Sequence, residues 1–200
     1  LFDRMRRQKI ADVFLEADPS KKTELSLLKE TGFEFTETES RELLVAIDEL
    51  AVIDRRMKKL PSYVVSLEEI DDSLFEMAVL ECTFQGSYGL LEDITALPKT
   101  RYEQKLSSCV LTDGRVTGLL LVRCVRKGCY LIELLYAQQP DREKNLLHMM
   151  RHSFRAAYSL LQKDDQVILS RRNKGAAQLI NGLFPGRKGS VVTKGEKHVG

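Results

Sequence analysis

Glu133 is the residue whose surroundings best suit it to chemistry. It is the one charged residue in the run Cys129-Tyr130-Leu131-Ile132-Glu133-Leu134-Leu135-Tyr136-Ala137. A carboxylate set among strand apolars suits a general base that takes a proton from an amine. The other reading is an ordinary glutamate, solvated in a groove or paired with a basic neighbour such as Arg123. His148 and His152 stand four apart, a helical spacing that can hold a metal. No glutamate accompanies them in the zinc-protease arrangement, so surface or groove histidines are the simpler expectation. Cys124 and Cys129 flank a turn, but two thiols are an incomplete zinc set. No metal is expected.

The elements that must carry these residues follow from the patterning. Cys129 to Ala137 shows no clean alternation, as in a strand covered on both faces. Gln138-Gln139-Pro140 ends it, because proline cannot continue a central ladder. From Asp141 to Gln162 the apolar residues take helical spacing, with Leu146, Leu147, Met150, Phe154, Ala157, Tyr158 and Leu161 on one face. Val167-Ile168-Leu169 is a second strand, and Ala176 to Phe184 a second helix closed by Pro185-Gly186. Strand, helix, strand, helix is a crossover unit of an α/β protein, with its two strands parallel.

Upstream, Tyr63 to Leu67 reads as a strand and Glu68 to Phe84 as a helix. A loop at Gln85 to Gly89 leads into a helical stretch, interrupted near Pro98, that reaches Leu106. Cys109 to Thr112 and Val116 to Val125 form a hairpin around Asp113-Gly114, a strong turn signal. The 200 residues carry 31 basic and 29 acidic side chains, for a net charge of +2. That balance gives no electrostatic case for nucleic acid. No apolar run approaches the roughly 20 residues needed to span a bilayer. Neither nucleic acid nor membrane is therefore an expected partner. Four cysteines in a chain of this length do not make a disulfide scaffold, and reduced cytoplasmic thiols are expected.

The first fifty residues echo the last forty. Val13-Phe14-Leu15, a turn, Leu25, Leu28 and Gly32 run alongside Val167-Ile168-Leu169, a turn, Leu179, Leu183 and Gly186, about 154 residues later. Phe33 to Thr38 and Arg41 to Leu50 are expected to form a hairpin. Asp54 to Pro61 reads as a linker and Lys194 to Gly200 as a loose tail. Residues 1–55 are then expected to be the closing half of one domain, and residues 61–200 a complete second copy.

This order of elements resembles the GNAT superfamily of N-acetyltransferases. The resemblance rests on the Asp113-Gly114 hairpin, the Leu131–Ala137 strand and the Asn173…Ala176…Pro185-Gly186 segment. It implies a mixed sheet flanked by helices, preceded by the C-terminal half of another GNAT-like domain. It further implies transfer of an acetyl group from acetyl-CoA to an amine of a small molecule or peptide, with Glu133 as catalytic base. Acetyl-CoA would lie where the two parallel strands splay apart just past Ala137, its pantetheine arm on the backbone of Leu135 and Ala137. The pyrophosphate would sit at the following helix start, near Arg142, Lys144 and Asn145, with Asn173 as a further contact. Arg171-Arg172 is either a solvated patch or an adenosine phosphate contact. Tyr88 and Tyr102 lie on the acceptor side, where ordinary packing is the simpler reading. The implied partners are the acceptor, a paired first domain within the chain and a homodimer mate. Two departures stand out. Pro140 to Asn145 holds no glycine, although the family's phosphate loop has two, and Ile180 stands where the family often has a tyrosine acid. They support the alternative of a non-catalytic module for domain pairing or ligand sensing.

Overall fold

A computed structural model of the chain describes residues 12–53, 59–84, 97–171 and 174–198. It divides into two compact units, Glu42–Arg187 and Leu1–Arg41 with Lys188–Gly200. The last strand therefore belongs with the first residues.

The larger unit contains strands β3 (Glu42–Ala46), β4 (Val64–Ser66), β5 (Ser108–Thr112), β6 (Arg115–Arg126), β7 (Cys129–Ala137) and β8 (Gln166–Ser170). Its helices are α2 (Asp72–Phe84), α3 (Arg142–Leu160) and α4 (Lys174–Leu183). The sheet runs β3-β8-β7-β6-β5-β4, and only β7 and β8 are parallel. Asp113 (φ 51°) and Gly114 (φ 74°) make the turn between β5 and β6. Two successive left-handed residues match the strand twist, which is why an Asp-Gly pair marks the hairpin.

Both faces of this sheet are covered. On β6, Leu120 and Val122 face a core shared with Met149, Met150 and Phe154 of α3 and Ile180 of α4. Leu119 and Leu121 face the opposite core, with Phe75, Ala78 and Val79 of α2. Alternation along one strand thus feeds two layers. The buried face of α3 includes His148, Arg151 and Ser153 as well as Met149, Met150, Phe154 and Ala157, whereas Tyr158, expected inward, is exposed. Ser108 Oγ donates to Met149 O and sits 3.0 Å from Ser153 Oγ, so this polar strip is hydrogen-bonded. All four cysteines are free, and burial pushes the thiols of Cys82 and Cys109 up to about 12.

The smaller unit is a three-stranded sheet of β1 (Asp12–Ala17), β9 (Val191–His198) and β2 (Glu34–Glu39), with α1 (Lys22–Glu30) joining β1 to β2. β9 lies between the other two and is antiparallel to both. Two sequence expectations fail here. β2 and β3 form no hairpin but enter different sheets, and the supposed loose tail is a central strand. Gly195 makes the latter possible. It stands opposite Leu15 and Phe35, and a Cβ there would come within 2.6 Å of Phe35 Cε1 and 3.0 Å of Leu15 Cγ.

β6 outruns β5, whose last pair with it is Ser108↔Leu120. Beyond that point the 103–107 loop takes over. Glu103 N–H donates to Val122 O at 2.8 Å, and Val122 N–H donates to Ser107 Oγ at 2.9 Å. Ser107 is wholly buried, so no water can replace its hydroxyl. Ser107→Ala is expected to cost about 1–3 kcal/mol in urea unfolding, the desolvation cost of a stranded buried N–H.

Candidate active site

The site is built where β7 leaves β8. The two strands pair in parallel only from Cys129↔Gln166 to Ile132↔Leu169. They therefore part after Ile132, five residues earlier than the expected point past Ala137. The other edge of β7 is irregular just beyond that point. Leu121 pairs with Leu134 but Val122 with Ile132, so Glu133 is an extra residue with no partner on β6. Such a bulge bends its strand and increases the local twist. β8 ends at Ser170, one residue past its last pair with β7, so the rest of β7 has no partner on that edge among the described residues.

The end of that pairing leaves backbone groups of β7 without a β8 partner in a fixed pattern. Gln138 N–H donates to Thr117 O at 2.9 Å, in the register that pairs Gly118 with Ala137. In an antiparallel ladder, alternate residues point their N–H and C=O at the partner. Residues 134, 136 and 138 therefore bond to β6. Leu135 and Ala137 turn theirs to the side that β8 has vacated.

The bulge also aims Glu133. Arg123 continues the face of β6 that Leu119 and Leu121 present toward α2, and its Nη2 donates to Glu133 Oε1 at 2.9 Å. The side chains of Arg123 and Glu133 are 17% and 2% exposed. Glu133 Oε2 and Arg123 Nε are both buried without a hydrogen-bond partner among the described residues. The paired reading of Glu133 thus describes one carboxylate oxygen, and the other is buried with no partner among the described residues.

Arg142 and Lys144 are exposed in the first turn of α3, Asn145 is half-buried, and Asn145 N–H donates to Asp141 O at 2.9 Å. Asp141 makes no side-chain cap, and Glu143 also lies in this turn. The first N–H groups and the helix dipole form an anion-attracting end, with two cations and two carboxylates around it. Ile180, in the place of the family's tyrosine, is buried in the core. Tyr102 packs on Phe75 with ring centroids 6.0 Å apart, as its packing reading expected. Asn173, Tyr88 and Arg172 lie outside the described residues.

The site thus brings together Glu133, Leu135 and Ala137 on one strand, with Arg142, Lys144 and Asn145 at the next helix start. Neither the bulge nor the open Arg123 Nε was foreseen. A single inserted residue leaves no periodic trace in a strand that is apolar on both faces. An arginine ten residues before a strand glutamate was the available hint.

Among 30 solved chains that match, one from Kribbella flavida, a GCN5-related N-acetyltransferase, is 16% identical with a TM-score of 0.56. The match covers 96% of this chain and 71% of that one. A GCN5-related N-acetyltransferase from Sphaerobacter thermophilus is 14% identical with a TM-score of 0.54, over 98% of this chain and 64% of that one. This is the GNAT fold. A conserved protein of unknown function from Bacteroides thetaiotaomicron VPI-5482 shares it, at 9% identity and a TM-score of 0.58, over 98% of this chain and 73% of that one. At these identities the likeness is one of fold, and the chain spans less than two thirds of the Sphaerobacter protein's length. No protein-family model matches the chain, and no curated protein sequence matches it either. The GNAT fold accounts for the mixed sheet, its flanking helices and the single parallel pair at which it opens.

No group of three or more His, Cys, Asp or Glu suited to a metal ion occurs among the described residues. No described helix is long and apolar enough to cross a membrane. His148 is buried rather than superficial, its ring edge-on to Tyr63 with centroids 6.3 Å apart, and His152 is half-buried. Burial holds both imidazoles below the ordinary histidine value. Lys144 and Arg151 add to this at His148, while Glu69 opposes it at His152. An unfolded chain takes up these protons first as pH falls. Stability is therefore complete above the unfolded-state value of about 6.5 and declines below it. Urea unfolding of the wild-type chain should show that decline between pH 7.5 and 5, and His148→Phe, which keeps the ring, should make it shallower.

Proposed function

We propose that this chain is a GNAT-type N-acyltransferase unit that moves an acetyl group from acetyl-CoA to an amine of a small molecule or peptide. The observation that carries the reading is the backbone edge at Leu135 and Ala137, which opens beside the start of α3. An extended ligand with alternating amides fits such an edge as an added strand would. Acetyl-CoA, when bound, supplies an activated thioester carbonyl. The chain's own part is to hold, orient and deprotonate. Leu135 and Ala137 would take the pantetheine arm on their outward N–H and C=O. The first turn of α3 would take the pyrophosphate, with Arg142, Lys144 and Asn145 offsetting Asp141 and Glu143. Glu133 Oε2 would accept the proton of the incoming amine. Asn173 keeps its proposed contact at the start of α4.

The smaller unit extends this reading. β1 is joined through α1 to β2 and has antiparallel β9 beside it, as β8 leads into α4 and has antiparallel β3 beside it. We take β1, α1, β2 and β9 as the closing half of a first GNAT-like domain, paired with the second within one cytoplasmic protein. The acidic, glycine-free start of α3 and the buried Ile180 favour a second reading, a module that binds its ligand without turnover.

Acetyl-CoA binding raises the melting temperature of whatever native state it holds. The thermal midpoint of the intact chain is expected to climb with the logarithm of acetyl-CoA concentration. No change up to millimolar acetyl-CoA would remove both readings, and a shift without transfer to any amine would favour the second.

A further inference from the structure

The Arg123–Glu133 pair is half closed. An arginine that meets a carboxylate side-on makes two parallel bonds, and the second would join Nε to Oε2. Here one bond forms, between Nη2 and Oε1. The two atoms of the missing bond are both buried and both without partners among the described residues. Leaving a buried charged donor and acceptor unmet is costly, and one bond between their partners does not offset it. The carboxylate lies at the bulge, on the strand whose next residues offer the open backbone edge. A buried donor and a buried acceptor left unpaired on neighbouring side chains match a ligand that carries one of each.

We propose that this half-closed pair is the acceptor-recognition element, and that it selects an amine with an oxygen on the adjacent carbon. This rests on the acyltransferase reading above. The amine N–H donates to Glu133 Oε2, and Arg123 Nε–H donates to the neighbouring hydroxyl or carbonyl oxygen. The proton that leaves the amine goes to Oε2. The nitrogen lone pair then forms the amide bond to the acetyl carbon as the carbon–sulfur bond of acetyl-CoA breaks. The electron pair of that bond leaves on the sulfur of CoA as a thiolate, and the proton held by Glu133 is released as the thiolate is protonated from solvent. Arg123 Nη2 meanwhile keeps Oε1 engaged, so the carboxylate cannot rotate to present the other oxygen. A site that bonds a substrate oxygen rejects the analogue lacking it, because its own donor is then left unpaired.

The test uses two acceptors of equal size, 2-aminoethanol and n-propylamine, with the intact wild-type chain and Arg123→Lys. Lysine keeps the cation beside Glu133 and lacks the second fixed donor. The ratio of kcat/KM for the two acceptors is measured in each protein, so that their different basicity cancels between proteins. A charge-assisted hydrogen bond predicts a fall in this ratio of roughly tenfold to a hundredfold in Arg123→Lys. Glu133→Gln should depress both acceptors together and leave the acetyl-CoA thermal shift in place. An unchanged ratio in Arg123→Lys overturns the proposal. So does transfer to neither acceptor by a wild-type chain that binds acetyl-CoA. Absence of any acetyl-CoA shift in the wild-type chain removes the acyltransferase reading itself and the proposal with it.

Discussion

One inserted residue governs the geometry of this sheet. Glu133 has no partner on β6, so the ladder between β6 and β7 changes register across it. A bulge of this kind bends its strand and increases the local twist. β7 pairs with β8 for four residues, and β8 ends one residue later, at Ser170. The same insertion brings Glu133 onto the face where Arg123 waits. It also fixes which backbone amides face outward, since every side chain and peptide beyond the bulge takes the opposite sense from a regular continuation. Register and carboxylate placement share one cause.

The rest of the larger unit keeps that insertion in place. Apolar residues on both faces of β6 and β7 lock the register, because a one-residue slip would exchange the two cores. Ser107 and Glu103 satisfy Val122 just beside the bulge, where β5 no longer reaches. α3 covers the sheet with a face that mixes methionines and a phenylalanine with His148, Arg151 and Ser153. Ser153, hydrogen-bonded to Ser108, and the edge-on contact of His148 with Tyr63 add directional contacts to its apolar packing. Its start is left exposed beside the opening.

Local signals in the sequence carried far. The Asp113-Gly114 turn, the proline break after Ala137 and the helical spacing from Asp141 each depend on neighbours a few residues away, and each appears in the structure. The parallel pairing of β7 with β8 followed from the handedness of crossovers. Pairings between distant segments left weaker traces. Lys194-Gly195-Glu196-Lys197-His198 has no apolar alternation, because β9 is held by backbone bonds to two strands and by Gly195 fitting between Leu15 and Phe35. The Phe33 to Leu50 segment suggested a hairpin, since nothing local tells two consecutive strands that their partners lie elsewhere. His148 looked superficial because polarity is a poor guide to burial on a helix whose neighbours supply a ring contact. At Glu133 the residue type was informative and its partner was named, but the half-closed bond needs three dimensions.

Amide hydrogen exchange resolved by residue on β7 tests the central claim most directly. The account predicts slow exchange at Leu134 and Tyr136, which bond to β6, and faster exchange at Leu135 and Ala137. Acetyl-CoA should then protect Leu135 and Ala137 selectively. Equal, ligand-independent protection of all four amides would mean that β7 never opens, and would contradict the account.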